Sequence, residues 1–201
     1  MGAYMFDWFS LDNNFLALQN TDTNAIELLK SDHAVVKDLF AQFEKSAGRS
    51  SKKRIADRVL TELKVHAAIE EEIFYPAVRK RIGKDIMNEA DEEHHVAKLL
   101  VAELDDLKGR GDHYDAKFKV LAENVRHHIK EEEDEMLPKA AALDLDFQEL
   151  GRRMLRRKRQ LLSKGVPPVG EEAMVAATHS RGDSPAKAAH RRPRPLKKRS
   201  A

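Results

Sequence analysis

Four apolar stripes of helical period, each broken near its middle by a histidine, set the limits on what this chain of 201 residues can fold into. The first runs Ile26, Leu29, His33, Val36, Phe40, and the second Val59, Leu63, His66, Glu70, Ile73. The third is Met87, Ala90, His94, Ala97, Val101, and the fourth Leu121, Val125, His128, Glu132. Steps of three and four residues hold one face of an α-helix toward a core. A carboxylate on such a face is costly to bury unless it is paired or bound to a metal. One misplaced polar residue would be unremarkable, but four helices interrupted at mid-length point to a shared polar centre.

The helix limits follow from capping and breaking residues. Asn24, with Glu27 three residues on, has the form of a capping box and starts the first helix, which stops at Ala47-Gly48. The second is expected over 51–80, with Pro76 removing a backbone donor and kinking the last turns, and Gly83 as the break. The third is expected over 84–107, ended by Gly109-Arg110-Gly111, and the fourth over 112–140, closed by Pro138. Helices of about 25 residues are about 37 Å long. Joined by short turns, they predict an all-α, up-down-up-down four-helix bundle over 24–140.

Two further segments follow the bundle. Residues 144–163 read as an extra amphipathic helix, with Phe147, Leu150, Met154 and Leu161 on one face and Arg152, Arg153, Arg156, Arg157 and Arg159 crowding the rest. Residues 165–201 are rich in Pro, Gly, Ser and Ala and are expected to form a disordered basic tail. Residues 1–23, with Phe6, Trp8, Phe9 and Phe15, are expected to pack on the bundle or on a dimer partner. The formal net charge of +2 hides an asymmetry: residues 151–201 hold 15 Lys/Arg against 3 Asp/Glu, and residues 1–150 hold 21 against 31. The run Arg191-Arg192-Pro193-Arg194 and Lys197-Lys198-Arg199 could grip nucleic-acid phosphates or an anionic surface. No base-reading motif accompanies it, so a solubilising end is the favoured reading.

The chain has no cysteine, which excludes a disulfide framework, a thiolate metal site and a cysteine nucleophile. No apolar run reaches the length of a membrane span, and the N-terminus lacks the basic start of a secretory signal. A cytoplasmic protein, monomeric or dimeric, is expected.

The spacing of the interruptions is itself informative. His66 and Glu70 are four residues apart on one face of the second helix, and His128 and Glu132 repeat that spacing on the fourth. His33 precedes His66 by 33 residues and His94 precedes His128 by 34, and Pro76 and Pro138 each lie ten residues beyond the histidine of their own motif. The halves therefore look like two copies of one helix hairpin. A pseudo-two-fold axis would set two metals side by side, each held by the histidines of one half and bridged by Glu70 and Glu132. Imidazole and carboxylate donors suit iron, manganese or zinc, and open positions at a bridged pair favour the redox-active ions. A ferritin-type site needs two Glu-x-x-His motifs. Only Glu92 and His95 give that pattern on these helices. His95 and His127 fall on wetter faces and are expected outside the centre. Glu72 and Glu133 are expected to be solvated, and Glu135 to orient a ligand or to reach water.

His33, the stretch His66-Ala67-Ala68-Ile69-Glu70, His94, and the stretch His128-Ile129-Lys130-Glu131-Glu132 resemble the hemerythrin HHE cation-binding domain. The resemblance covers about 24–140. It implies a four-helix bundle with two non-haem iron ions on His33, His66, Glu70, His94, His128 and Glu132, handling oxygen, nitric oxide or peroxide, or sensing iron. The same centre could serve an enzyme consuming peroxide or nitric oxide. Oxygen-carrying members have a further histidine one turn after the third-helix ligand, where this chain has Lys98. Their terminal carboxylate is an aspartate spaced one residue further from its histidine. These departures imply more open metal positions, and sensing or reactive-oxygen chemistry rather than reversible storage.

Overall fold

The computed structural model describes residues 24–168 and 170–182. The expected contacts of 1–23 and the basic run from 183 onward lie outside those residues. Every element among the described residues is helical. In chain order they are α1 (Ala25–Lys45), α2 (Arg49–Ile69), a π turn (Glu70–Phe74), α3 (Tyr75–Ile82), α4 (Lys84–Leu107), α5 (Tyr114–Glu131), a second π turn (Glu132–Met136), α6 (Leu137–Ala141), α7 (Phe147–Lys164) and α8 (Gly170–Gly182). No helix among them is long and apolar enough to cross a membrane.

Local chemistry explains the limits. The Asn24 side chain accepts a hydrogen bond from the Ile26 N–H at 2.9 Å, which starts α1. Gly83, at φ +113°, takes a conformation that side-chained residues rarely adopt, and it separates α3 from α4. Asp146 accepts from the Glu149 N–H at 2.8 Å, so α7 begins at this cap, two residues beyond Asp144. α1 packs on α2 and α4 on α5, and cross-contacts join α1 to α5 and α2 to α4. α7 lies against α1, α2 and the first π turn, while α8 lies against α4.

Two features differ from expectation. The helices that carry Pro76 and Pro138 run to Ile82 and Ala141, near the expected ends at 80 and 140, but the prolines are not where the backbone changes. A π turn precedes each proline instead, with the Tyr75 N–H reaching the Glu70 carbonyl and the Leu137 N–H reaching the Glu132 carbonyl. The carbonyls that a proline leaves without a donor thus fall where the helix is already changing register. The second difference is α8, which lies inside the segment expected to be disordered. Its first turn carries Glu171 and Glu172, which suit a helix N-terminus. They pair with His95 at 2.9 Å and with Lys64 at 2.8 Å, and Val175 is buried. Tertiary ion pairs supply what composition alone lacks.

The core is split in two. One cluster is built on Leu29, Ile69, Phe74, Met87 and Leu137, the other on Phe40, Val59, Leu104, Phe118 and Leu121. In the second, the Phe43 and Phe118 rings stack with centroids 3.8 Å apart. Along α1, Leu29 belongs to one cluster and Val36 to the other, with His33 between them. A polar layer therefore divides the apolar interior.

Candidate metal centre

The six sequence-predicted residues meet in that layer. His33, His66, Glu70, His94, His128 and Glu132 are all buried, the glutamates at no more than 1% exposure. The four imidazoles project Nε2 inward. His33 and His66 face each other at 3.2 Å between Nε2 atoms, and His94 and His128 at 3.1 Å. Glu70 Oε2 lies 3.2 Å from His66 Nε2 and 3.4 Å from His94 Nε2. Glu132 Oε2 lies 3.1 Å from His33 Nε2 and 3.5 Å from His128 Nε2. Each carboxylate thus reaches one imidazole of each half. Both π turns begin at these glutamates, so the wider turn helps set where the carboxylates stand.

Three of the imidazoles carry a carboxylate on the outer nitrogen. His33 Nδ1 meets Glu133 at 3.0 Å, His94 Nδ1 meets Glu71 at 2.9 Å, and His128 Nδ1 meets Glu93 at 2.7 Å. On the outer side of His66, Nδ1 lies 3.6 Å from Asp32 Oδ2. That is too long for a hydrogen bond, and neither atom has another partner. A carboxylate on Nδ1 fixes the proton there and leaves the Nε2 lone pair pointing inward. The inner faces therefore bring lone pairs together with few protons to share. Both oxygens of Glu70 and Oε2 of Glu132 are buried without a hydrogen-bond partner.

That arrangement fits a cation. Donors about 2.1 Å from one ion and about 90° apart lie about 3.0 Å from one another, close to the separations found here. Two groups of atoms converge in this way: His33, His66, Glu70 and Glu132, and Glu70, His94 and His128. The protein's own charges do not settle comfortably. Burial, reinforced by neighbouring Glu132, drives the Glu70 pKa well above the carboxylate range. Burial also raises that of Glu132, but the imidazoles of His128 and His33 outweigh it and hold this carboxyl well below its usual value. Burial pushes His66 down to about 4. Two carboxylates this close resist joint ionisation unless positive charge is added.

Several residues at the centre were not foreseen. Tyr75 is 1% exposed, and its hydroxyl donates to Glu132 Oε1 at 3.0 Å and lies 3.0 Å from His94 Nε2. Glu133, expected to be solvated, holds His33 and pairs with Lys37 at 3.0 Å. Lys37 and Lys98 occupy matching places, since Lys98 Nζ lies 3.0 Å from the Glu71 carboxylate that holds His94. A signal was present in the sequence: an acid stands immediately before each lone histidine (Asp32, Glu93) and immediately after each motif glutamate (Glu71, Glu133). Glu72 and Glu135 do face solvent, paired with Arg157 and Lys139. His95 and His127 lie outside the cluster, with side chains 42% and 63% exposed.

A cavity of about 50 Å³ touches all four imidazoles. Its other walls include Val36, Leu63, Val101 and Val125, and Lys64 and Lys98 also line it.

Comparison with known proteins agrees with this geometry. The family description "Hemerythrin HHE cation binding domain" matches residues 24–140. The protein Rv2633c of Mycobacterium tuberculosis is 30% identical over 148 residues, covering 72% of this chain and 89% of its own. A crystal structure of a hemerythrin HHE cation-binding domain-containing protein, the Rv2633c homologue of Mycobacterium kansasii, superposes with a TM-score of 0.59 at 26% identity. The match covers 71% of this chain and 94% of that one. A DNA nickase of Nostoc is 26% identical over 112 residues, but this chain spans only 32% of its length. With its His/Glu clusters suited to a cation, the chain belongs to the hemerythrin HHE cation-binding domain family.

Proposed function

We propose that this protein binds two iron ions and uses them to sense or handle a small ligand such as oxygen, nitric oxide or peroxide. In this reading the four long helical arms form an up-down-up-down bundle. His33 and His66 would hold one ion and His94 and His128 the other, with Glu70 and Glu132, each within reach of an imidazole of both halves, as the shared carboxylates. Nitrogen and oxygen donors without thiolate favour iron or manganese, with zinc the non-redox option. Bound iron supplies redox and Lewis-acid chemistry at this point. The chain supplies the rest: Glu71, Glu93 and Glu133 orient imidazoles, and apolar walls exclude bulk water.

The observation that carries the reading is the small apolar cavity against all four imidazoles. Its volume of about 50 Å³ suits a diatomic molecule or peroxide and excludes a metabolite-sized substrate. Lys98, at the place where oxygen carriers have a histidine, is committed to Glu71. It would therefore not compete with an exogenous ligand for a bound ion. The test is iron content and the visible spectrum after iron-supplemented growth, before and after adding peroxide or nitric oxide. About two iron ions per chain and a ligand-dependent spectrum are expected; fewer than one ion per chain overturns the proposal.

A second reading, turnover of peroxide or nitric oxide, is favoured by the Tyr75 hydroxyl. It is a buried hydroxyl that donates to Glu132 and keeps its proton, its pKa raised well above the usual value first by burial and then by the Glu132 and Glu70 carboxylates. In Tyr75→Phe, peroxide consumption by iron-loaded protein should fall while iron content holds. Unchanged consumption removes the hydroxyl from the chemistry.

A further inference from the structure

The two hairpins superimpose in sequence with an offset of 61 residues between α1 and α4 (His33 to His94) and 62 between α2 and α5 (His66 to His128). Under that correspondence the surroundings differ sharply. In the first half the positions flanking the imidazoles are Leu28, Val65, Ile69 and Ile73, packed in the apolar cluster that α7 joins through Met154, Leu155 and Leu161. The matching positions in the second half are Glu89, His127, Glu131 and Glu135. They are open to water, with side-chain exposures of 63% for His127, 38% for Glu131 and 55% for Glu135.

Three of them, Glu89, Glu131 and Glu135, border a route inward, and His127 stands beside Glu131. A cleft of about 50 Å³ is lined by Glu89, Glu93, Glu131 and Glu135 at its outer part, and by His128 and Glu132 at its floor. Glu132 is 1% exposed, and its Oε2 lacks a hydrogen-bond partner. At the rim His127 Nε2 lies 3.1 Å from Glu131 Oε1 and 3.8 Å from Glu93 Oε1, a set of three donors close enough to share an ion. Glu93 is only 16% exposed and joins the two levels: Oε1 turns toward His127, and Oε2 holds His128 Nδ1 at 2.7 Å. The imidazole-side cavity, by contrast, has mainly apolar walls and two lysines.

We propose that this acidic cleft is the cation inlet of the centre, and that Glu93, His127 and Glu131 form a transient docking site that passes a divalent cation to Glu132 and His128. The inference rests on the two-ion reading above. It gives the two openings separate duties. Carboxylates focus a negative potential on one side, which raises the local cation concentration. The apolar cavity, flanked by Lys64 and Lys98, favours an uncharged ligand.

The test is the rate at which full-length, metal-free protein takes up ferrous ion anaerobically, timed by quenching with a ferrous chelator. The His127→Asn, Glu131→Gln double variant changes only rim residues. Its uptake should slow on the order of tenfold at low ionic strength, with the final iron content unchanged. Added salt should slow the wild type and affect the variant less. Glu89→Lys, as an independent variant, should slow uptake in the same direction. Lys64→Gln, at the other opening, should leave the rate as it was. Rim variants that load within twofold of wild type overturn the inlet while leaving the two-ion reading intact, as does a rate that responds to Lys64 alone. A wild-type chain that takes up no iron overturns both.

Discussion

Around His33 and His66 the chain places Leu28, Val65 and Ile69 and covers them with α7; around His94 and His128 the corresponding side chains are Glu89, His127 and Glu131 and face water. The inner donor sets of these two regions are nevertheless alike, two imidazoles with Nε2 atoms 3.2 Å apart in one half and 3.1 Å in the other. The inner geometry is kept in both halves while the residues behind it diverge. The divergence is electrostatic as well as steric. On the covered side Asp32 is 4% exposed and is answered by Lys158 of α7, itself 1% exposed, at 2.5 Å. On the open side the matching acid, Glu93, is 16% exposed and holds His128 Nδ1 at 2.7 Å instead.

The largest effect should come from the residues common to both halves. Because Glu70 and Glu132 each touch an imidazole of either half, a Glu70→Ala, Glu132→Ala chain should lose nearly all bound metal. His66→Ala or His128→Ala should instead lose about half. Elemental analysis distinguishes the two patterns, and a half-loaded double glutamate variant would show that the halves bind independently.

The next effect separates the halves. Lys158→Ala strands the buried Asp32 carboxylate and should destabilise the fold by about 3–5 kcal/mol, read from urea unfolding. Lys158→Met combined with Asp32→Asn should recover most of that loss, since an uncharged pair needs no compensation. Glu93→Gln, on the open side, should cost less, about 1 kcal/mol, because the amide oxygen can still accept from His128 Nδ1 and no buried charge is stranded. Equal costs on the two sides would contradict the idea that only one of them is sealed.

How much of this could be read beforehand follows from where each energy resides. His33, His66, His94 and His128 were legible because an imidazole in an apolar stripe violates a period that the rest of the helix obeys. Glu71, Glu93 and Glu133 were not distinguished, because acids beside water and acids holding an imidazole look the same in an acid-rich helix. Lys158 was masked by the arginines around it, although it interrupts the stripe of Leu150, Met154 and Leu161 just as the histidines interrupt theirs. The π turns depend on hydrogen-bond register rather than on composition. Pro76 and Pro138 marked the place but suggested a kink or a stop. α8 escaped because its support comes from Lys64, His95 and Lys98, distant in sequence.

A finer comparison concerns the carboxylates behind the imidazoles. Glu71→Gln and Glu133→Gln occupy equivalent places and should weaken metal affinity to a similar degree, about 10–100-fold each. Asp32→Asn should weaken it less, since Asp32 stands 3.6 Å from His66 Nδ1, whereas Glu93 lies 2.7 Å from His128. Competition with a chromophoric chelator measures all of these. An Asp32→Asn effect as large as that of Glu133→Gln would mean that the gap at His66 closes when metal is held.

The smallest expected effect lies at α8. Glu171 contacts His95 at 2.9 Å and Lys98 at 3.5 Å, and Glu172 contacts Lys64 at 2.8 Å, all at partly exposed sites. Such pairs contribute about 0–1 kcal/mol each, too little to move global unfolding by much. They are, however, a main tie of a helix with little apolar face, Val175 being its one buried apolar side chain among the described residues. Glu171→Gln with Glu172→Gln should therefore release α8 without releasing α4 beneath it. Amide hydrogen exchange should accelerate across 170–177 and stay unchanged in 84–107. If exchange in α4 rises in step, α8 is an integral part of the fold rather than a lightly tied addition to the second half.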